Sequence, residues 1–312
     1  MTKVFSFAKK EVKNIVQTTS ATTALLLLII TLTVAATTTI GGVISVWAAN
    51  LIGTSEPDTL EGTDEDDFID GRGGNDIISD GLGGDEILGG RGDDTIELEG
   101  SGEDSSDTEG QDVADGERGD DNIDARDFGG SYVIYGGSDD DIIYAGGTDL
   151  ETNGKIYGDS GNDEIRAGGE GTIDVWGGSG DDYIDGASEC VIDHPYGESG
   201  NDRIISPNDF ASGGSGDDFI QFLDCTGKAY GDSGNDELRA SPDNDGTELH
   251  GGSGNDKVIG DSNDDQLFGD SHNDILTGGE GADSFSCGSG RDTITDFNAA
   301  EGDTKTADCE NF

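Results

Sequence analysis

Aspartate recurs at a fixed position in a nonapeptide that repeats five times between Gly251 and Phe297. The repeats read GGSGNDKVI, GDSNDDQLF, GDSHNDILT, GGEGADSFS and CGSGRDTIT, with aspartate at position six and an apolar residue at position eight. Glycine, frequent at positions one and four, lets backbone carbonyl oxygens turn toward a shared point. Carboxylate and carbonyl oxygens are the ligands that calcium prefers, six to eight at a time. The spacing therefore predicts a repeated calcium site.

The same pattern occurs in seventeen turns between residues 53 and 295. Near the N-terminus the turns begin every nine residues, whereas from Gly116 the intervals are 16 to 22 residues, so the unit there is two nonapeptides. The candidate carboxylate ligands are Asp76, Asp94, Asp121, Asp141, Asp163, Asp182, Asp202, Asp218, Asp236, Asp256, Asp265, Asp274, Asp283 and Asp292; Asp58, Asp67 and Asp85 complete the seventeen. The candidate carbonyl donors are Gly158, Gly161, Gly177, Gly180, Gly197, Gly200, Gly213, Gly216, Gly231, Gly234, Gly251 and Gly254.

The elements that position these residues follow from the two alternating parts of the repeat. Position eight points inward in a short strand, because side chains alternate with period two, and the preceding six residues reverse the chain. Two strands and two turns make a coil of about eighteen residues, and stacked coils place parallel strands roughly 4.8 Å apart. Both columns of turns keep the motif at 53–97 and 251–295, whereas in the middle one column carries half-repeats without the aspartate turn.

These motifs resemble the RTX, or hemolysin-type, calcium-binding repeat GGxGxDxUx. The resemblance covers Gly53 to Phe297 and implies an all-β fold, a right-handed parallel β-roll. It also implies that each calcium ion lies between two turns one coil apart, bound by glycine-turn carbonyls and position-six carboxylates. The number of ions implied reaches the low teens at most. The chain departs from the pattern at position four, where Glu56, Glu65, Asp139, Asn263 and His272 replace a glycine expected to need positive φ.

The chain divides into five segments. Residues 1–49 carry four lysines followed by an uncharged apolar stretch over 21–49, which predicts a hydrophobic helix acting as a signal peptide or a membrane anchor. Residues 50–97 hold the N-terminal repeats, 98–115 an acidic insertion loop, 116–295 the main roll and 296–312 a C-terminal cap. Because the lysines precede the apolar stretch, we expect the repeats outside the cell, either secreted or anchored at the surface.

Composition and motifs restrict the classes of function that the chain can have. The formal net charge of −53 excludes nucleic acid as a partner and favours metal cations. An acidic disordered tail is the alternative, but a solvated linker has no reason to keep apolar residues in register. No clustered His or Cys and no catalytic motif is present, so we expect a structural or adhesive protein rather than an enzyme. The alternatives are a secreted polysaccharide-modifying enzyme or its accessory module, and a passive calcium buffer.

The four cysteines form two candidate pairs. We expect a disulfide between Cys287 and Cys309 to fasten the tail to the last coil, whereas Cys190 and Cys225, two coils or about 9.6 Å apart, pair only if their loops converge.

Outward-facing residues at positions seven and nine suggest a surface for self-association or a cell-envelope partner, with simple β-propensity as the alternative. These residues are Ile142, Tyr183, Ile205, Phe219, Ile259 and Ile275.

Overall fold

The computed structural model describes residues 48–99, 111–126, 130–146, 151–186, 192–205, 209–223, 227–241 and 246–309. All regular elements in these ranges are β-strands, and they form two sheets. Sheet A contains β1 (Asn50–Ile52), β3 (Phe68–Asp70), β5 (Glu86–Arg91), β7 (Gln111–Arg118), β9 (Ser131–Ser138), β11 (Glu151–Ser160), β13 (Glu170–Ser179), β15 (Ile192–Ser199), β17 (Phe210–Ser215), β19 (Lys228–Ser233), β21 (Glu248–Ser253), β23 (Gln266–Ser271), β25 (Ser284–Ser286) and β27 (Thr304–Lys305). Sheet B contains β2 (Thr59–Thr63), β4 (Ile77–Gly81), β6 (Thr95–Glu97), β8 (Asn122–Ala125), β10 (Ile142–Ala145), β12 (Glu164–Ala167), β14 (Tyr183–Asp185), β16 (Arg203–Ile205), β18 (Phe219–Gln221), β20 (Glu237–Arg239), β22 (Lys257–Ile259), β24 (Ile275–Thr277) and β26 (Thr293–Ile294).

Successive strands alternate between the two sheets. Each strand pairs in parallel with the strand two places along the chain, as β10 does with β8 and β12. This topology is a parallel β-solenoid and confirms the predicted all-β roll. The predicted N-terminal helix, in residues 1–49, lies outside the described residues except for Ala48 and Ala49. No helix in the described ranges is long and apolar enough to cross a membrane.

The core is a stack of the apolar residues at position eight. Parallel pairing in register places Ile143 beside Ile123 on one side and Ile165 on the other. The stack is at most 2 % exposed and comprises Leu60, Ile69, Ile78, Ile87, Ile96, Ile123, Ile143, Ile165, Ile184, Ile204, Ile220, Leu238, Val258, Leu267, Leu276, Phe285 and Ile294. In the middle coils the degenerate half-repeats still form strands of sheet A and contribute buried residues such as Ile134, Ile156 and Val175.

The outer face of sheet A carries a ladder of eight half-buried rings that the sequence interpretation overlooked. Neighbouring ring centroids are 4.1–6.0 Å apart, and five of the seven contacts are stacked with interplanar angles of 3–12°. Such pairs contribute about 0.5–1.5 kcal/mol each beyond the area they bury, so the ladder stabilises the stacking of coils. Its members are Tyr135, Tyr157, Trp176, Tyr196, Phe210, Tyr230, His250 and Phe268.

The insertion is shorter than the loop expected over 98–115. Strand β7 begins at Gln111, and its residues Asp112 and Ala114 are buried while their neighbours are not. Leu98 is also buried, at 2 % exposure, and its N–H donates to the Asp124 carbonyl oxygen at 2.9 Å. The expectation of a loop was therefore wrong at both edges, because apolar or aspartate side chains at those edges fill places in the regular coil.

The C-terminal segment adds one more strand to the solenoid. Strand β27 pairs with β25, aligning Ser284 with Thr304 and Phe285 with Lys305. The predicted disulfide between Cys287 and Cys309 is present, with Cα atoms 5.1 Å apart. The pair Cys190 and Cys225 lies outside the described residues.

Candidate metal centre

Thirteen position-six aspartates form one ladder along the turns that lead from sheet A to sheet B. The backbone N–H of each donates to Oδ1 of the aspartate one coil later, at 2.7–3.0 Å. This main ladder runs through Asp58, Asp76, Asp94, Asp121, Asp141, Asp163, Asp182, Asp202, Asp218, Asp236, Asp256, Asp274 and Asp292. One oxygen of each carboxylate after the first is thereby fixed by the preceding coil.

The other carboxylate oxygen, Oδ2, is buried without a hydrogen-bond partner in fifteen aspartates of the described residues. A buried charged oxygen without a partner is strongly unfavourable unless a cation satisfies it. Eleven of these atoms follow one another along the main ladder, and this run is the observation in this structure that fits a series of bound cations. The fifteen are Asp76, Asp80, Asp85, Asp94, Asp121, Asp141, Asp163, Asp182, Asp202, Asp218, Asp236, Asp256, Asp261, Asp274 and Asp283.

Glycine at position one brings oxygens of two coils together. A Cβ atom built on Gly158 would lie 2.5 Å from Asp163 Oδ2 and 2.4 Å from the carbonyl oxygen of Gly177, one coil later. A Cβ on Gly116 would meet the equivalent oxygens at 2.3 and 2.4 Å. Any other residue would fill this space, so the glycine leaves a cradle bordered by a carboxylate and a carbonyl oxygen, the donor set that calcium takes.

Glycine at position four is required by backbone conformation as well as by space. The six predicted glycines at this position, from Gly161 to Gly254, have φ between +130° and +156°. A Cβ on Gly180 would lie only 1.7 Å from the carbonyl oxygen of Gly161 on the preceding coil. Asp139 and His272 nonetheless adopt φ of 86° at position four. The strain expected at Glu56 and Glu65 does not arise, because their N–H groups donate to the hydroxyls of Thr54 and Thr63 in a different turn.

A second ladder at position five was missed in the sequence. Backbone N–H groups here donate to the side-chain Oδ1 of the preceding coil, opposite in direction to the main ladder, as from Asn162 to Asp140 at 2.7 Å. Asparagine and aspartate alternate between Asp140 and Asp217, which lowers the repulsion between neighbouring side chains. The residues are Asp140, Asn162, Asp181, Asn201, Asp217, Asn235, Asn255 and Asn273.

In the second column of turns, leading from sheet B to sheet A, the described residues form ladders of aspartates at the two ends. At the N-terminal end Asp67 donates its N–H to Asp85, and Asp85 donates to Asp112. At the C-terminal end the chain of bonds runs from Thr247 through Asp265 and Asp283 to Asp303. In the middle, position one is Gly186 after β14, whereas at five other described turns it bears a buried side chain: Ala125, Ala145, Ala167, Phe222 and Ala240.

The structure thus places twelve of the fourteen candidate carboxylates in the main ladder and the other two, Asp265 and Asp283, in the second column. Asp80, Asp112, Thr247 and Asp303 were not predicted. Asp112 could have been found, because Asp112-Val113-Ala114 keeps the spacing of aspartate and apolar residue without the glycines before it. Which of these residues bind an ion stays a prediction.

Burial raises the pKa of the ladder carboxylates, and repulsion between neighbours adds to it. The pKa of Asp121, Asp182 and Asp236 rises from 3.8 to about 8, in spite of the N–H donated by the preceding coil. The pKa of Asp141, Asp163, Asp218 and Asp274 rises to about 7, and that of Asp94 and Asp202 to about 6. Without a cation, several of these groups therefore carry a proton at neutral pH, and a bound cation displaces it.

A family model described as RTX calcium-binding nonapeptide repeat (4 copies) matches the chain at residues 52–79, 79–101, 133–149, 152–170, 175–188, 208–221, 229–246, 248–275 and 259–294. These matches together span more than half of the chain. The chain belongs to the RTX calcium-binding repeat family. No curated protein matches the chain. RTX repeats bind calcium, and the residues that would hold the ions here are the position-six aspartates and the turn glycines, where the ion would neutralise carboxylates on successive coils.

Proposed function

We propose that this protein is a secreted or cell-surface structural rod whose folding is driven by extracellular calcium. The observation that carries the proposal is the line of buried Oδ2 atoms without partners along the main ladder. A formal charge of −53 opposes compaction unless cations neutralise it. Binding and folding are then one process, because the oxygens of two coils meet at a cradle only when the coils are stacked.

The difference in calcium concentration between the cytosol and the outside of the cell determines where the chain folds. Sites that bind at 10⁻⁴–10⁻³ M, roughly, are filled outside the cell and empty in the cytosol. The chain would therefore stay extended during export and fold on arrival. The hydrophobic, uncharged stretch at 21–49, preceded by lysines, supports an export route for residues 50–312.

Far-UV circular dichroism of the purified protein tests this, with calcium and magnesium titrated separately. We expect a transition from coil to β-structure with calcium, reversed by a chelator, and no such transition with magnesium at the same concentration. β-Structure that persists unchanged in chelator would refute calcium-driven folding. Accessibility of the repeats to protease on intact cells tests the location, and full protection would refute it.

A second role, lateral contact through the outer face of sheet B, is favoured by exposed apolar side chains. Ile77, Ile142 and Ile275 are 56 %, 37 % and 47 % exposed. Ile205, which the sequence placed on this face, is only 7 % exposed. Light scattering in calcium compares the wild type with Ile142→Ser and Ile275→Ser. We expect assembly in the wild type that the variants lose; a monomeric wild type would refute self-association.

A further inference from the structure

Three buried carboxylates converge near the insertion, and one of them, Asp80, stands where the repeat motif has glycine. Asp80, Asp85 and Asp112 are 0 %, 1 % and 0 % exposed. One carboxylate oxygen from each lies within 4.8 Å of the other two. An ion with oxygens 2.3–2.6 Å away can be shared by oxygens up to about 5 Å apart, so the three can bind a single calcium ion.

The cluster exists because aspartate replaces glycine at position one of a turn. Asp80 lies at the end of β4, where the alternation of the strand turns its side chain inward beside the buried Ile78. Glycine stands at position one in fifteen of the seventeen aspartate turns, and Asp80 and Cys287 are the exceptions. Asp85 is position six of the same turn, and Asp112 belongs to the following coil.

One oxygen of each of the three carboxylates accepts a backbone N–H, and Oδ1 of Asp85 accepts the Asp67 N–H at 2.6 Å. Oδ1 of Asp80 accepts the Glu99 N–H at 2.7 Å, and Oδ1 of Asp112 accepts the Asp85 N–H at 2.8 Å. The Oδ2 atoms of Asp80 and Asp85 are buried and have no hydrogen-bond partner. Among the described residues, neither Asp80 nor Asp85 forms an ion pair with Lys, Arg or His.

We propose that Asp80, Asp85 and Asp112 bind a dedicated calcium ion that fastens Glu99 and Asp112, the described residues on either side of segment 100–110. The site differs from the repeat sites because its third carboxylate comes from position one, where the repeat offers only a glycine. Magnesium usually keeps several waters and binds one or two carboxylates, whereas calcium accepts a cage of protein oxygens. The inference rests on the proposed function, since the three residues meet only in the folded rod.

Native mass spectrometry of the full-length protein in calcium tests the site by counting bound ions. Asp80→Asn keeps the side-chain volume and the oxygen that accepts the Glu99 N–H. Asp64→Asn is the control, because Asp64 is exposed in the preceding turn and the charge change is the same. We expect Asp80→Asn to bind one calcium ion fewer than the wild type, and the control to bind the same number.

Hydrogen exchange in calcium gives a local measurement. In Asp80→Asn we expect amides of β7 to exchange at least tenfold faster than in the wild type, while those of β12, in the main roll, are unchanged. If the wild type binds calcium but Asp80→Asn shows an equal ion count and equal protection of β7, this site is refuted and the proposed function stands. If the wild type binds no calcium, the proposed function fails, and this site fails with it.

Discussion

Replacing Asp182 by asparagine separates the two functions of a ladder carboxylate. Its Oδ1 accepts the Asp163 N–H at 2.8 Å, while its Oδ2 is buried without a partner. Asparagine keeps an oxygen for the N–H, but places a neutral amide where a calcium ion would meet a charged oxygen. We therefore expect Asp182→Asn to preserve the ladder and to weaken calcium binding on one or both sides of this turn.

The change in folding stability caused by Asp182→Asn has opposite signs with and without calcium. Burial, with repulsion from Asp163 and Asp202, raises the pKa of Asp182 from 3.8 to about 8. At pH 7 this costs the metal-free rod at most about 4 kcal/mol, because each pH unit between 3.8 and 7 corresponds to ~1.36 kcal/mol. Asparagine avoids this cost. With calcium bound, the variant instead loses a charge-assisted contact of roughly 1.5–3 kcal/mol.

Urea unfolding followed by circular dichroism measures both effects. In saturating calcium the free energy of unfolding should fall by roughly 1.5–3 kcal/mol in Asp182→Asn. In chelator, with an osmolyte that favours compact states, the same variant should retain more β-structure than the wild type. Asp182→Ala should lose roughly a further 1–3 kcal/mol in calcium, because the buried Asp163 N–H then has no acceptor.

Asp181→Asn is the matched control. Asp181 is the exposed neighbour at position five, and its Oδ1 accepts the Asn201 N–H at 2.7 Å, as an asparagine does elsewhere in that ladder. The charge change is the same, so this variant should stay within about 0.5 kcal/mol of the wild type. Equal losses in Asp181→Asn and Asp182→Asn would show that overall charge, and not a ligand at position six, governs stability.

Three other predictions follow from the same geometry. Acid should partly replace calcium in stabilising the rod. Because the pKa of the ladder carboxylates is raised, the metal-free rod is most stable below about pH 4 and loses stability as the pH rises toward 8. Circular dichroism in chelator should therefore show more β-structure at pH 4 than at pH 8, and the reverse order would contradict the assigned pKa directions. Gly180→Ala should destabilise the rod by about 3 kcal/mol or more in thermal unfolding, since φ is +130° and the Cβ would lie 1.7 Å from a carbonyl oxygen. In the control Gly73→Ala the Cβ would lie 3.5 Å from its nearest atom, so the free energy of unfolding should change by less than about 0.5 kcal/mol. Equal effects of the two variants would reject the requirement for glycine at position four. The double variant Cys287→Ser with Cys309→Ser should lose about 3 kcal/mol of unfolding free energy, because the disulfide closes a loop with a sequence separation of 22 and so lowers the entropy of the unfolded chain. An unchanged melting temperature would show that the cap is held without the disulfide.

Much of the fold could be predicted from the sequence because the repeat is a local pattern that carries its own geometry. Ile143, Ile165 and Ile184 follow their aspartates by two residues, and this spacing alone places them on the inner face of a strand. Parallel pairing follows from stacking identical coils. The aspartates of the main ladder could be predicted by the same spacing, although the direction of their N–H bonds could not.

The parts that were missed depend on contacts between coils. The ring ladder has a visible signal, since Tyr135, Tyr157 and Trp176 each directly precede the position-one glycine, but only stacking in register gives that recurrence a meaning. The turn at Glu56 was judged strained from position four alone, whereas Thr54 selects a different turn with its hydroxyl. Asp112 was hidden because its turn lacks the glycines of the motif.

The direction of the main ladder makes each site dependent on the coil before it. The carboxylate of Asp202 is oriented by the N–H of Asp182, and that of Asp182 by the N–H of Asp163. A position-six carboxylate therefore has its final orientation only when the preceding coil is in place, and an ion bound there would link the two coils. Because every coil contacts only its neighbours, stability propagates along the chain from coil to coil. As the pH rises toward 8, the carboxylates of a chain without cations lose their protons and repel one another along the ladder, so at that pH the ladder needs the ions to form.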